Sequence, residues 1–167
     1  MGRYFNPEEV NLAGRAFTSA EEFARRHFRL APDVMKNFRY DVKTQAYLDD
    51  HEIKEGAFAH LCRYEYGEGH FYRICLQDSR ILDAVTRANS FIRLSPLMLY
   101  IAAHELVHVI RFDKGDADFD VPVGDKVREE EKVHSITGDM LQACMNPELK
   151  LVMECFSNRY KIGDMFC

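Results

Sequence analysis

The chain has 167 residues, 47% of them hydrophobic, the size of one compact domain spanning 1–167 and enough to bury a core without staples. Its formal charge of -5, with both signs interleaved, lacks the concentrated basic face that neutralises phosphates, so nucleic acid is not the expected partner. The longest apolar run, Pro96 to Ala103, is far shorter than the roughly 20 residues that cross a bilayer, so no membrane span is expected.

Asn6-Pro7 followed by Glu8 and Glu9 predicts a helix start. Thr18 and Ser19, with Glu21 and Glu22 three residues beyond, predict the start of a second helix, which makes the first forty residues largely helical. After Pro32 comes a short amphipathic stretch with Val34, Met35 and Phe38, and Lys43 to Gly56 then shows no periodicity in either register. Ala57 to Tyr66 and His70 to Gln77 are rich in aromatic and β-branched residues around Gly67-Glu68-Gly69, which predicts a β-hairpin. Ser95-Pro96 predicts a helix start, and LMLYIAAHELVHVIRF continues from it without a breaker, apolar on nearly every side. Asp113 to Gly124 interrupts the pattern before VREEEKVHSITGDMLQACM resumes it, and Pro147 separates a last helical stretch, ELKLVMECFSNRY.

The five cysteines, Cys62, Cys75, Cys144, Cys155 and Cys167, show neither paired CxxC spacing nor the density of a secreted disulfide scaffold. They are read as reduced, mostly buried thiols. The opening MGRYFNPEEV puts Asn-Pro and two glutamates where a signal peptide needs an apolar stretch, and Gly2 lacks the Ser or Thr that myristoylation needs at position 6. A cytoplasmic protein is expected.

His104-Glu105-Leu106-Val107-His108 is an H-E-x-x-H sequence. Four residues on a helix advance about 400°, so both imidazoles project from nearly one face and can reach one ion. A catalytic zinc takes three protein ligands and leaves its fourth position to water, whose pKa it lowers to about 7, and Glu105 is then placed to take the proton. Two imidazoles and a carboxylate within an apolar helix are costly to bury without partners, which favours a site over coincidence. For the third ligand, chemistry leaves Glu129, Glu130, Glu131 and His134 open, since consecutive helical residues point about 100° apart. The same acidic run also suits a solvated helix N-terminus. His27, His51, His60 and His70 lack a partner at metal spacing and receive no ligand role.

With YIAAHELVHVIRF followed by REEEKVHSITGDML, residues 95 to 142 resemble the zincin metallopeptidases, most of all the gluzincin branch and its ImmA/IrrE-type proteins. Arg111 and Lys114 stand where a metzincin would carry glycine and histidine. The resemblance implies an α+β zincin-like fold with N-terminal helices, a β-hairpin or small sheet, a buried active-site helix and a following ligand helix. It implies Zn2+ held by His104, His108 and Glu130, with Glu105 catalytic, His134 supporting the ligands from behind, and Glu131 as an alternative ligand. It implies peptide-bond hydrolysis of a peptide or protein substrate, and an edge strand beside the active helix that holds it, for which His70 to Gln77 is the candidate. Two rival readings stand beside this one. Glu105 to His108 and Glu131 to His134 are both E-x-x-H pairs, as in ferritin-like di-iron bundles, although the hairpin around Gly67 interrupts a region where that bundle needs a long helix. A zinc-binding interaction protein without turnover would also carry these residues, its open position covered by Asp113 to Gly124.

Overall fold

A computed structural model describes residues 3–89 and 91–161; Gly2 and Cys167 lie outside the described residues. The first helix, α1 (Pro7–His27), begins where expected, with Asn6 accepting from the Glu9 amide at 2.8 Å and Glu9 answering the Asn6 amide at 2.9 Å. It then runs unbroken through Thr18 and Ser19, so the second helix start expected there does not occur. Ala13, Ala16, Phe17, Ala20 and Ala24 form one buried stripe across that point, and Thr18 turns its hydroxyl back to the Gly14 carbonyl at 3.1 Å. Burial of a continuous face outweighs a local capping pattern. Beyond α1, the helical reading ends early: α2 (Pro32–Met35) is one turn, and Tyr40–Lys43 is a strand, β1. The aperiodic stretch that follows holds two short 3-10 turns, Gln45–Tyr47 and Asp50–Glu52.

The hairpin forms as β2 (Ala59–Tyr66) and β3 (Gly69–Leu76), paired antiparallel from Ala59 against Leu76 to Tyr66 against Gly69. The loop is therefore two residues, and Gly67 supplies its positive φ of 49°. β1 adds in parallel to the other side of β3, giving the order β1-β3-β2. β3 is thus the central strand, which corrects its assignment as the edge; β2 takes that place. Tyr72, Ile74 and Leu76 of β3 are buried, so this strand serves as the packing floor of the sheet.

The segment after β3 forms α3 (Asp78–Arg87), an element absent from the sequence reading. Its start is fixed by Asp78, whose carboxylate accepts the amides of Phe5 (2.8 Å) and Gln45 (2.9 Å). The long apolar helix is α4 (Leu94–Lys114), capped by Arg93 without a side-chain bond, so Ser95 lies inside the first turn and does not cap it. Pro96 is accommodated there because first-turn amides have no intrahelical acceptor. Gly115, at φ 79°, ends the helix in the left-handed region. α5 (Val123–Met140) and α6 (Pro147–Lys161) complete the chain, α6 being started by the Asn146 side chain accepting from Leu149 at 2.8 Å. α4 packs against α1, α3, α5, α6 and β2, which is why it is apolar all round and buried at nearly every position from Leu97 to Arg111. The architecture is α+β. Among the described residues, no helix is long and apolar enough to cross a membrane.

Candidate metal centre

His104 and His108 stand one turn apart on α4 and are almost wholly buried, at 2% and 6% exposure. Glu130, on α5, meets both: its Oε2 lies 2.9 Å from His104 Nε2 and its Oε1 lies 3.1 Å from His108 Nε2. One ligand atom from each of the three residues lies within 4.8 Å of the others. Two donors bound tetrahedrally at about 2.0–2.1 Å stand about 3.3 Å apart, so the measured separations need to open by only a few tenths of an ångström. The donor set also fits, since two neutral imidazoles and one carboxylate are what an open catalytic zinc site uses.

The charges of the group oppose one another in a dry setting. Burial pulls the His108 imidazolium down, but the Glu130 carboxylate lifts it further, to about 9. Burial resists ionisation of Glu130, yet His108 and His104 together hold its carboxyl well below the usual range. His108 and Glu130 therefore pair as imidazolium and carboxylate, and any metal must displace that proton. Glu105, next to His104 and 6% exposed, has its carboxyl pushed up by burial against the attraction of both histidines. His108 turns Nε2 to Glu130, and its other ring nitrogen, Nδ1, is buried without a hydrogen-bond partner among the described residues.

In front of this group lies a cleft of about 560 Å³ that Glu105, His108 and Glu130 line together with Lys54, Ala59 to Leu61 of β2, Phe112 and Phe119. Phe119 belongs to the segment between α4 and α5 and packs edge-on against Phe112 at 5.3 Å, so this segment forms a wall of the cleft. Behind the group, the Tyr100 hydroxyl lies 3.1 Å from His104 Nδ1 and 2.7 Å from His134 Nδ1. His134 Nε2 in turn lies 2.7 Å from Ser157 Oγ on α6. Burial, aided by the nearby charge of His104, holds His134 down at about 4, so it is neutral near pH 7.

No protein-family model, curated protein or solved structure matches the chain.

The alternatives open in the sequence separate in space. Glu129 is claimed by Arg111, which donates from Nε at 2.7 Å and from a terminal nitrogen at 2.9 Å. Glu131 is exposed, and His134 faces Tyr100 and Ser157, so neither reaches the Glu130 group and the second E-x-x-H pair does not converge with the first. The remaining histidines serve elsewhere: His27 packs on Phe28, His51 bonds the Tyr64 hydroxyl, His60 approaches the Glu52 carbonyl, and His70 meets Asp113 at 2.9 Å. Among the described residues the thiols depart from the expectation of burial, because only Cys75 is buried, Cys62 and Cys144 are half-buried and Cys155 is exposed; these four are unpaired. Tyr100, Arg111 and Ser157 escaped the sequence reading. For Tyr100 the signal was present, since it precedes His104 by the same four residues that separate His104 from His108.

Proposed function

We propose that the chain is a zinc-dependent metallopeptidase of the zincin type, with His104, His108 and Glu130 as ligands and Glu105 as general base. The observation that carries this reading is the convergence of the three ligand atoms beside a cleft that His108, Glu130 and Glu105 line. A zinc ion held by these residues would supply a Lewis acid for the scissile carbonyl and bring the pKa of a water to about 7. Imidazole and carboxylate donors suit zinc well, whereas magnesium and calcium prefer oxygen alone.

The chain's own residues do the rest. Glu105, with its carboxyl raised by burial, takes a proton from the attacking water and returns it to the leaving amine. Lys54 lines the same cleft and brings positive charge toward Glu105, where negative charge develops on the carbonyl oxygen. β2 pairs with β3 alone, so its other edge is unpaired among the described residues, and its first residues line the cleft. An extended peptide or unfolded protein segment fits there by adding as a strand. The four unpaired thiols suit a reducing compartment such as the cytoplasm.

The test is metal content by mass spectrometry after dialysis, together with cleavage of a denatured protein such as casein. The reading expects about one zinc per chain, loss of zinc in His104→Ala, and loss of cleavage with zinc retained in Glu105→Gln. Wild-type protein that takes up no zinc overturns it, and a zinc-loaded protein that cleaves no unfolded substrate leaves a binding protein without turnover.

A further inference from the structure

We propose that Tyr100, His134 and Ser157 form a one-directional hydrogen-bond relay that fixes the tautomer of His104 and ties the seating of α6 to metal affinity. The inference rests on the metal-binding part of the proposed function, not on hydrolysis.

The direction of the relay follows from which atoms meet. His104 turns Nε2 toward Glu130 and the shared ligand position, and Nδ1 toward Tyr100. To offer the Nε2 lone pair to a cation, the neutral ring must carry its proton on Nδ1, and it then donates to the Tyr100 oxygen. The relay then assigns the hydroxyl proton of Tyr100 to His134 Nδ1, the nearer of the two ring nitrogens, at 2.7 Å. His134 accepts there, so its proton sits on Nε2 and is donated to Ser157 Oγ, also at 2.7 Å. With these assignments every link points away from the metal ligand.

The usual support behind a metal-bound imidazole is a carboxylate or a backbone carbonyl, which accepts the ring N–H directly. In this chain the place is taken by a phenol, which accepts only as well as its own proton is taken up further along. Tyr100 is itself fixed by packing: it is 1% exposed and stacks on Phe156 of α6 at 4.2 Å between centroids. Two contacts therefore join α6 to the metal ligands, the ring stack through Phe156 and the relay through Ser157. Tyr100 is a positioning residue, since it touches a ligand and not the reacting atoms.

Zinc affinity of the full chain is measured by competition with a chromophoric chelator for wild type, Tyr100→Phe and Ser157→Ala, and nitrogen NMR of the imidazoles gives the tautomers of the zinc-loaded wild type. Tyr100→Phe keeps the ring stack and loses only the hydroxyl, so it is expected to weaken zinc binding by about 10–100-fold. Ser157→Ala, two links away, is expected to weaken it a few-fold, about 2–5. The thermal midpoint of chelator-treated Tyr100→Phe should stay close to wild type; a merely structural role would lower that midpoint and leave the affinity of folded protein unchanged. The tautomers expected are Nδ1–H for His104 and Nε2–H for His134, and they need no variant to fold. Nδ1–H on His134, or a Tyr100→Phe affinity equal to wild type, overturns the relay while leaving the zinc reading intact. Wild-type protein that takes up no zinc overturns both.

Discussion

Two of the clusters that bury charge among the described residues are built on opposite rules. On the sheet face turned away from Tyr72 and Ile74, Arg73 donates to both oxygens of Asp41 at 2.9 and 3.0 Å and to Glu52 at 3.1 Å. The remaining capacity of Glu52 is taken by the Asp49 amide at 2.9 Å and by the Tyr64 hydroxyl, so no oxygen of this buried carboxylate lacks a donor. The rings of Tyr64 and Phe71 close over the guanidinium at 5.2 and 5.5 Å. Between α4 and α5 the groups converge on one point, leave His108 Nδ1 unanswered and open on a cleft. A satisfied cluster holds the fold together, whereas one whose ligand atoms converge beside a cleft is placed to receive something.

The distinction is broken most directly by exchanging the two readouts. Glu130→Gln is expected to weaken zinc binding by more than the roughly 100-fold that supporting residues cost, because it removes the charged ligand itself. In chelator-treated protein it should cost stability near and below pH 7, where the His108–Glu130 pair is charged, and that cost should vanish as pH rises through about 9. Arg73→Leu should cost stability across that range and leave zinc binding alone. Breaking a fully buried pair costs about 3–5 kcal/mol; Arg73 is 22% exposed and Glu52 1%, so a value at or below the low end is expected, with zinc affinity unchanged. Urea midpoints and chelator competition on both variants check this. An Arg73→Leu protein that loses zinc in step with stability would show that the two clusters are not separate.

Glu52 and His108, one from each cluster, should also respond to pH with opposite sign. For Glu52, burial favours the neutral acid, but Tyr64, the Asp49 amide and Arg73 outweigh it and lower the carboxyl to about 2. A depressed folded pKa means stability that is present above the unfolded value, near 4.5, and lost as pH falls toward 2. The raised pKa of His108 gives stability that is complete below its unfolded value, near 6.5, and lost as pH rises through about 9. Thermal midpoints of chelator-treated protein should therefore fall at both ends, with Glu52→Gln flattening the acid limb alone and Glu130→Gln flattening the alkaline limb and, because its own carboxyl is held well below the usual range, part of the acid limb too. Zinc binding should strengthen with pH over the range in which His108 loses its proton, since the metal and the proton compete for the same nitrogen.

The His104, His108 and Glu130 cluster was more legible in the sequence than its surroundings, for physical reasons. An i, i+4 pair of histidines in an apolar helix fixes its own geometry, and the acidic run after it narrowed the third ligand to a few positions. The fold was legible where one face is continuous, as in α4 and the hairpin, and not where an element is short or held from afar. β1 has four residues with polar side chains at Asp41 and Lys43, and only its pairing with β3 makes it a strand. α3 starts on a buried aspartate whose partners lie 33 and 73 residues away. That β3 is central and β2 the edge depends on β1 joining, which no local pattern carries. Tyr100 was lost for a different reason, since an aromatic in an apolar run reads as core unless its four-residue spacing from His104 is weighed.

The same contrast recurs within three consecutive residues of α5. Successive helical positions turn by about 100°, so Glu129, Glu130 and Glu131 cannot share an environment. Glu129 closes on Arg111, Glu130 on the two histidines, and Glu131 faces solvent. Changing each in turn to glutamine should give three different results. Glu130→Gln loses zinc. Glu129→Gln keeps zinc but leaves Arg111, 9% exposed, without its carboxylate, at a cost of about 1–3 kcal/mol. Glu131→Gln should move neither stability, beyond the roughly 0.5 kcal/mol typical of surface changes, nor zinc affinity. It is the smallest expected effect and the strictest test, because Glu131 begins the second E-x-x-H pair. Measurable loss of bound metal in Glu131→Gln would mean that this pair does bind an ion and that Glu130 is not the sole acidic ligand on α5.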